Sequence, residues 1–267
     1  MDYPVKGIAL IRNLKLCVLI LAAGACAGAQ TPNGAANPDQ VAVMGSGPGI
    51  LISPVADVRD NRLWEYGAFG NWGSGVGDRS DFKFFFAGVH MSKVLTPVVH
   101  AGVFSGQFEY GGEVIPLWMG FTPPPHSEAY TCSEDGQPFA CNLQVGGGTF
   151  HGVSITPVIF RWNFLTKSPR VQPWFQAAGG LIYTTHKYPP NFLTTQIVDG
   201  QIFKIDGGTS VWNFTPQGGV GVHYFVRPRR SIDLGVNAVH ISSASLGDRN
   251  PGVNASIQIQ VGYTYWK

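Results

Sequence analysis

The sequence has little charge: only 13% of its 267 residues are Asp, Glu, Lys or Arg, and the formal net charge is +2. The basic residues are scattered and form no patch, which argues against a nucleic-acid partner. Helical patterning is missing as well, since no helix-length 3.6-residue periodicity stands out beyond residue 40, and a helical bundle is excluded. The apolar run Leu16 to Ala23 is too short for a membrane-spanning helix, which needs roughly 20 residues. Cysteine is scarce, with four residues, and two of them, Cys17 and Cys26, lie near the N-terminus. What the chain has instead is 35 glycines and 12% aromatic residues, a composition that suits glycine-kinked, aromatic-rich strands.

Lys6, Arg12 and Lys15 precede the apolar run, and Ala27-Gly28-Ala29 follows it. This order reads as a secretory signal peptide over residues 1–29, removed on export. Ala23-Gly24-Ala25-Cys26 is the rival reading, a lipoprotein box. Residues 30–60 read as a linker or periplasmic segment and 61–267 as a single domain. Export permits a disulfide between Cys132 and Cys141 across a short Pro- and Gly-rich loop, with metal binding the weaker alternative.

Eight strand-like segments are separated by Gly, Pro, Asn or Asp clusters. They run over about Leu63–Trp72, Phe82–Leu95, Val98–Tyr110, Thr149–Phe164, Val171–His186, Ser210–Val226, Ser231–Ser243 and Asn254–Trp266. Short and long connections alternate between them, as in outer-membrane barrels with short periplasmic turns and long outer loops. The expected fold is therefore all-β, an eight-stranded antiparallel transmembrane β-barrel with both termini in the periplasm. Trp64, Trp162, Trp174 and Trp266 fall at periplasmic strand ends and Trp72 and Trp212 at the opposite ends, which predicts two interfacial girdles. The run Phe84-Phe85-Phe86 breaks the alternation of the second strand. His90, His100 and His223 read as ordinary strand residues.

In the seventh segment Ile232, Leu234, Val236 and Ala238 share the apolar parity, and continuing it puts His240 and Ser242 on the lipid side near the outer end of the strand. A histidine and a serine two apart on one face can act as base and nucleophile. His-x-Ser alone is a weak signal, because interfacial polar residues are common in barrels.

The wider stretch His240-Ile-Ser242-Ser-Ala244-Ser-Leu-Gly-Asp-Arg-Asn250-Pro-Gly252 resembles the bacterial lipid A 3-O-deacylase family, also labelled acyloxyacyl hydrolase. The resemblance implies a serine esterase that removes the 3-O acyl chain of lipid A, with lipopolysaccharide of the outer leaflet as partner and no cofactor or metal. Ser242 would be the nucleophile and His240 the general base, while Asn250 and the backbone around Ala244 would form the oxyanion hole. Two positions depart from the family pattern: Ser243 replaces the Asn after the nucleophile, and Asn254 stands where a glutamate should orient the histidine. An amide can accept the imidazole hydrogen bond but cannot stabilise imidazolium by charge. A relocated acid such as Asp248 is one alternative. A catalytically silent barrel with a structural or lipid-binding role is the other.

Overall fold

The computed structural model describes residues 53–134, 137–188, 193–198, 201–206, 210–243 and 254–267. The stretches read as signal peptide and lipoprotein box lie outside these residues. The domain is built around a closed barrel. Its strands are β1 (Trp64–Gly75), β2 (Lys83–Val94), β3 (Gly106–Phe121), β6 (Thr149–Phe164), β7 (Val171–Thr184), β10 and β11 (Trp212–Phe214, Gln217–Arg227), β12 (Arg230–His240) and β13 (Ala255–Trp266). Strands β10 and β11 hold one continuous register against β7, interrupted at Thr215-Pro216 because proline has no N–H for the ladder. Antiparallel pairing runs from β1 round to β13 and back to β1, so the barrel has eight staves and no free edge. Two hairpins rise from the long connections: β4 (His126–Glu134) with β5 (Gln137–Val145), and β8 (Leu193–Val198) with β9 (Gln201–Asp206).

The alternation that defines the strands is inverted relative to a water-soluble protein. Along β12, Ile232, Leu234 and Val236 are exposed while Ser231, Asp233 and Asn237 are buried. Apolar side chains thus face outward and polar ones inward, as lipid on the outside demands.

The interior has two halves. Toward the end where the termini and short turns lie, it is ionic. Arg161 Nη1 lies 2.7 Å from Glu65 Oε2 and 3.1 Å from Glu109 Oε1, and His90 Nε2 lies 2.8 Å from Glu65 Oε1. His223 Nδ1 meets Asp233 Oδ1 at 2.7 Å, and Thr264 Oγ1 donates to the other carboxylate oxygen. His90 and His223 therefore belong to a buried ion network. Toward the outer end the filling is aromatic: Phe82, Phe84, Phe86, Trp118, Phe150 and Tyr188 are buried together. Phe86 stacks on Trp118 with centroids 5.6 Å apart, and Tyr188 meets Phe82 edge-on at 5.8 Å. Phe84 and Phe86 break the polar-in pattern because this half of the lumen is filled by aromatic rings. With both halves filled, the barrel is a packed core.

Two expectations are corrected. Trp174 and Trp266 are buried at 2% and 0% exposure and do not belong to an interfacial girdle. Their inward parity sets them on either side of the His223 ring, with centroids at 6.1 and 5.2 Å. Trp64, Trp72 and Trp212 are exposed on the outer wall as expected. The third strand is Gly106–Phe121, shifted outward from Val98–Tyr110. Val99 makes only an isolated bridge, and Gly111-Gly112, which reads as a strand end, carries a bulge inside the strand. Within and just past the stretch read as linker or periplasmic segment lies a short helix, α1 (Pro54–Asn61), capped by Ser53. Its Val55 and Val58 pack on Leu63, Val94, Phe225 and Trp266. Its Asp57 holds Arg229 of the β11–β12 turn at 2.8 Å, which raises the guanidinium pKa.

Candidate active site

The outer end of β12 is pinned from both sides. The His240 N–H donates to Pro216 O at 3.0 Å, and Ser242 exchanges backbone hydrogen bonds of 2.7 and 3.0 Å with Phe214 of β10. Between them the Ile241 N–H donates to Asn254 O at 2.8 Å on the β13 side. The register is unbroken through Ser242, so residue parity is preserved to the end of the strand. Val239, Ile241 and Ser243 are buried and face the lumen, with Ile241 in the aromatic cluster. His240 and Ser242, of the opposite parity, are half-buried on the outer wall. Two residues of strand separate their Cα atoms by roughly 6.6 Å, close enough for an imidazole to turn toward a serine hydroxyl.

An apolar surface lies beside the pair. Phe214 is opposite Ser242, and Leu181 is opposite Phe214 on β7. Above them the Trp212 and Tyr183 rings meet with centroids 4.9 Å apart. Trp212 is 58% exposed, as an interfacial aromatic should be. The outward parities of the sixth and seventh segments carry this neighbourhood, but their relative register does not follow from either segment alone. That is why Phe214 was not singled out from sequence.

Asn254 is not brought to this face. Its side chain is buried at 1% exposure, shares the inward parity of Ser256 and Gln258, and accepts a 3.0 Å hydrogen bond at Oδ1 from Arg79 Nε. Its backbone carbonyl, which receives the Ile241 N–H, is its link to β12. Arg79 sits in a 3₁₀ turn before β2, where no strand pattern signals a partner for β13. We expect Asn254→Glu to form an ion pair with Arg79 inside the barrel and to leave ester turnover within about threefold of wild type. A gain of about tenfold or more in a release assay would show instead that this side chain reaches His240.

Ala244, Asp248 and Asn250 lie outside the described residues. Cys141 is disulfide-bonded in β5, opposite Tyr130 of β4. The side chain of Cys132, two positions on in β4, lies outside those described. Glu65, His223 and Asp233 place ligand-type atoms within 4.8 Å of one another. Arg161 and Ser92 take Glu65 Oε2, and His223 and Thr264 take the two Asp233 oxygens, so the three side chains are part of the buried ion network.

The sequence profile described as "Lipid A 3-O-deacylase (PagL)" matches residues 127–264, from β4 into β13. No curated protein matches the sequence. Among solved structures, the outer membrane enzyme PagL is similar at 15% identity with a TM-score of 0.37, over 74% of this chain and 98% of that one. Neisserial surface protein A is similar at 13% identity with a TM-score of 0.41, over 76% and 96%. The N-terminal β-barrel domain of OprF from Pseudomonas aeruginosa follows at 12% and 0.35, over 76% and 98%. The profile match spans just over half of the chain and includes both His240 and Ser242, and the chain belongs to the lipid A 3-O-deacylase family of the Gram-negative outer membrane.

Proposed function

We propose that this barrel is an outer-membrane serine esterase that hydrolyses the 3-O-linked acyl chain of lipid A, with Ser242 as nucleophile and His240 as general base. The observation that carries the reading is the unbroken outward parity of both residues at the outer end of β12, next to the apolar surface of Phe214, Leu181 and Tyr183. At that depth the neighbouring molecules are the lipopolysaccharides of the outer leaflet, so the ester reaches the site from the membrane and not through a pore.

His240 takes the hydroxyl proton as Ser242 Oγ attacks the ester carbonyl carbon, giving a tetrahedral oxyanion. The collapse of this intermediate breaks the bond to the 3-oxygen of lipid A, which leaves as an alcohol carrying the proton from His240. A water deprotonated by His240 then attacks the acyl-Ser242 ester, and collapse releases the fatty acid as His240 returns the proton to Ser242 Oγ. Asn250 and the backbone around Ala244 are the oxyanion donors in this proposal. Asn254 acts through its backbone carbonyl, which holds Ile241 and thereby the two flanking residues in register. Among the described residues the outer half of the lumen is filled by aromatic side chains, which supports approach of the ester from the wall.

A lipid-like fluorophosphonate tests the nucleophile. It should label the wild-type barrel at Ser242 stoichiometrically, as read by peptide mass spectrometry, and leave the folded Ser242→Ala variant unlabelled. Equal labelling of both proteins would refute the assignment. A catalytically silent lipid-binding barrel would bind such a probe reversibly and acquire no covalent mass.

A further inference from the structure

The outer wall carries a second feature, at the other end of the barrel. A groove of about 750 Å³ opens on the lipid side of β13, β1, β2, β3 and β6, within the range of roughly 300–1,000 Å³ typical of small-molecule sites. Tyr66, Val89, Met91, Tyr263 and Tyr265 line it, and Ala68 leaves its floor open. Bulges make the concavity. Register breaks between Ala87 and Val89, Gly111 and Glu113, and Ile155 and Val158 fall in neighbouring strand pairs and bend the wall here.

Three cations border this part of the wall at the periplasmic rim. Arg230 is paired with Tyr265 across the β12–β13 ladder. Lys267 exchanges backbone hydrogen bonds of 2.7 and 2.8 Å with Trp64. Lys93 Nζ lies 5.3 Å from the centroid of the Trp64 ring. Among the described residues none of the three is paired with a carboxylate. Asp57 and Asp60 of α1 are taken by Arg229 and Arg59.

We propose that this groove and its basic border form a binding site for one anionic phospholipid of the periplasmic leaflet. An acyl chain lies along the tyrosine-lined groove, and the headgroup phosphate meets Arg230, Lys267 and Lys93. Charge complementarity selects the occupant. Unpaired cations next to an apolar groove at headgroup depth suit a lipid phosphate, whereas a second copy would present the same cations at an isologous contact. The proposal requires only the barrel and its orientation, and is independent of the chemistry at Ser242.

The test uses the full-length processed barrel in nanodiscs of mixed phosphatidylethanolamine and phosphatidylglycerol, released into the gas phase for native mass spectrometry. Wild type is expected to retain one phosphatidylglycerol in preference to phosphatidylethanolamine. The Lys93→Gln/Arg230→Gln/Lys267→Gln variant should lose that preference by about tenfold or more. Ala68→Trp, which fills the groove from its exposed side, should reduce retention of both lipids. Retention in simple proportion to bilayer composition would overturn the proposal, and so would a lipid-free dimer dissociated by Ala68→Trp. Heat-modifiable migration on gels verifies that each variant is folded, and neither readout depends on deacylation.

Discussion

Arg161→Met is expected to cost the barrel about 3–5 kcal/mol of folding free energy, the range for removing one partner of a buried ion pair. Arg161 is 5% exposed, and its guanidinium bridges Glu65 and Glu109, both at 0%. It also donates twice to Gln176 Oε1 at 3.1 Å and lies 4.9 Å from the centroid of the Trp174 ring. Methionine matches much of the side-chain volume but leaves two facing carboxylates without their shared cation. Of their remaining partners, Ser92 and Asn163 are neutral and His90 reaches Glu65 alone, so nothing replaces the guanidinium between the two carboxylates in a lumen closed below by α1 and above by aromatic rings. Urea unfolding in liposomes, followed by tryptophan fluorescence, reads the effect. Adding Glu65→Gln and Glu109→Gln to Arg161→Met should restore at least about half of the loss, because neutral isosteres remove the uncompensated charge. A loss under about 1 kcal/mol for Arg161→Met would mean that the lumen admits enough water to solvate the carboxylates.

His240→Gln is expected to reduce turnover on lipid A by about 10²–10⁴, the usual contribution of a general base, while KM changes little. The imidazole faces outward and is half-buried, so its replacement should move stability by no more than about 0.5 kcal/mol. The two readouts separate chemistry from folding: loss of turnover in a barrel with an unchanged unfolding midpoint assigns His240 to the reaction. An equal fall in stability and activity would make it a packing residue. The same comparison bears on the missing acid. The Asn254 side chain is engaged with Arg79 in the lumen, so among the described residues no carboxylate stands against His240 where the family pattern supplies one. Replacing the corresponding aspartate by asparagine in a serine protease slowed turnover by about 10⁴. A modest wild-type rate, still strongly dependent on His240, is the expected combination.

Parity made much of this legible in the sequence. The alternation in Ser231–Ser243 and Asn254–Trp266 defines two staves, and because its period is two it also assigns the outward side of His240 and Ser242 and the inward side of Asn254. The same rule failed where the lumen is not polar. Phe84 and Phe86 have the inward parity of β2, yet their apolar character reads as a fault in the strand until the aromatic cluster with Trp118 and Tyr188 is seen. Trp174 and Trp266 show the converse, since position near a strand end suggests a girdle while parity sends both rings inside. Gly111-Gly112 hides a bulge, because two glycines punctuate a sequence in the same way whether a strand stops or bends. Helix α1, only eight residues long, owes its place to packing of Val55 and Val58 and not to any extended periodicity. The partners of each site residue depend on the stagger between staves, which no single segment encodes. Phe214 opposite Ser242 and Arg79 against Asn254 follow from that stagger.

The central claim is that the outward His240–Ser242 pair cleaves the 3-O ester of lipid A, and the lipid A of living cells tests it most directly. Wild-type protein and Ser242→Ala would be expressed to equal, heat-modifiable levels in the outer membrane of a Gram-negative host whose lipid A retains its 3-O acyl chain. The wild type should produce a lipid A ion lighter by one hydroxyacyl residue, with the free fatty acid recovered in equal amount, and Ser242→Ala should leave the host spectrum unchanged. The same shortened lipid A from both proteins, or from neither, would contradict the account.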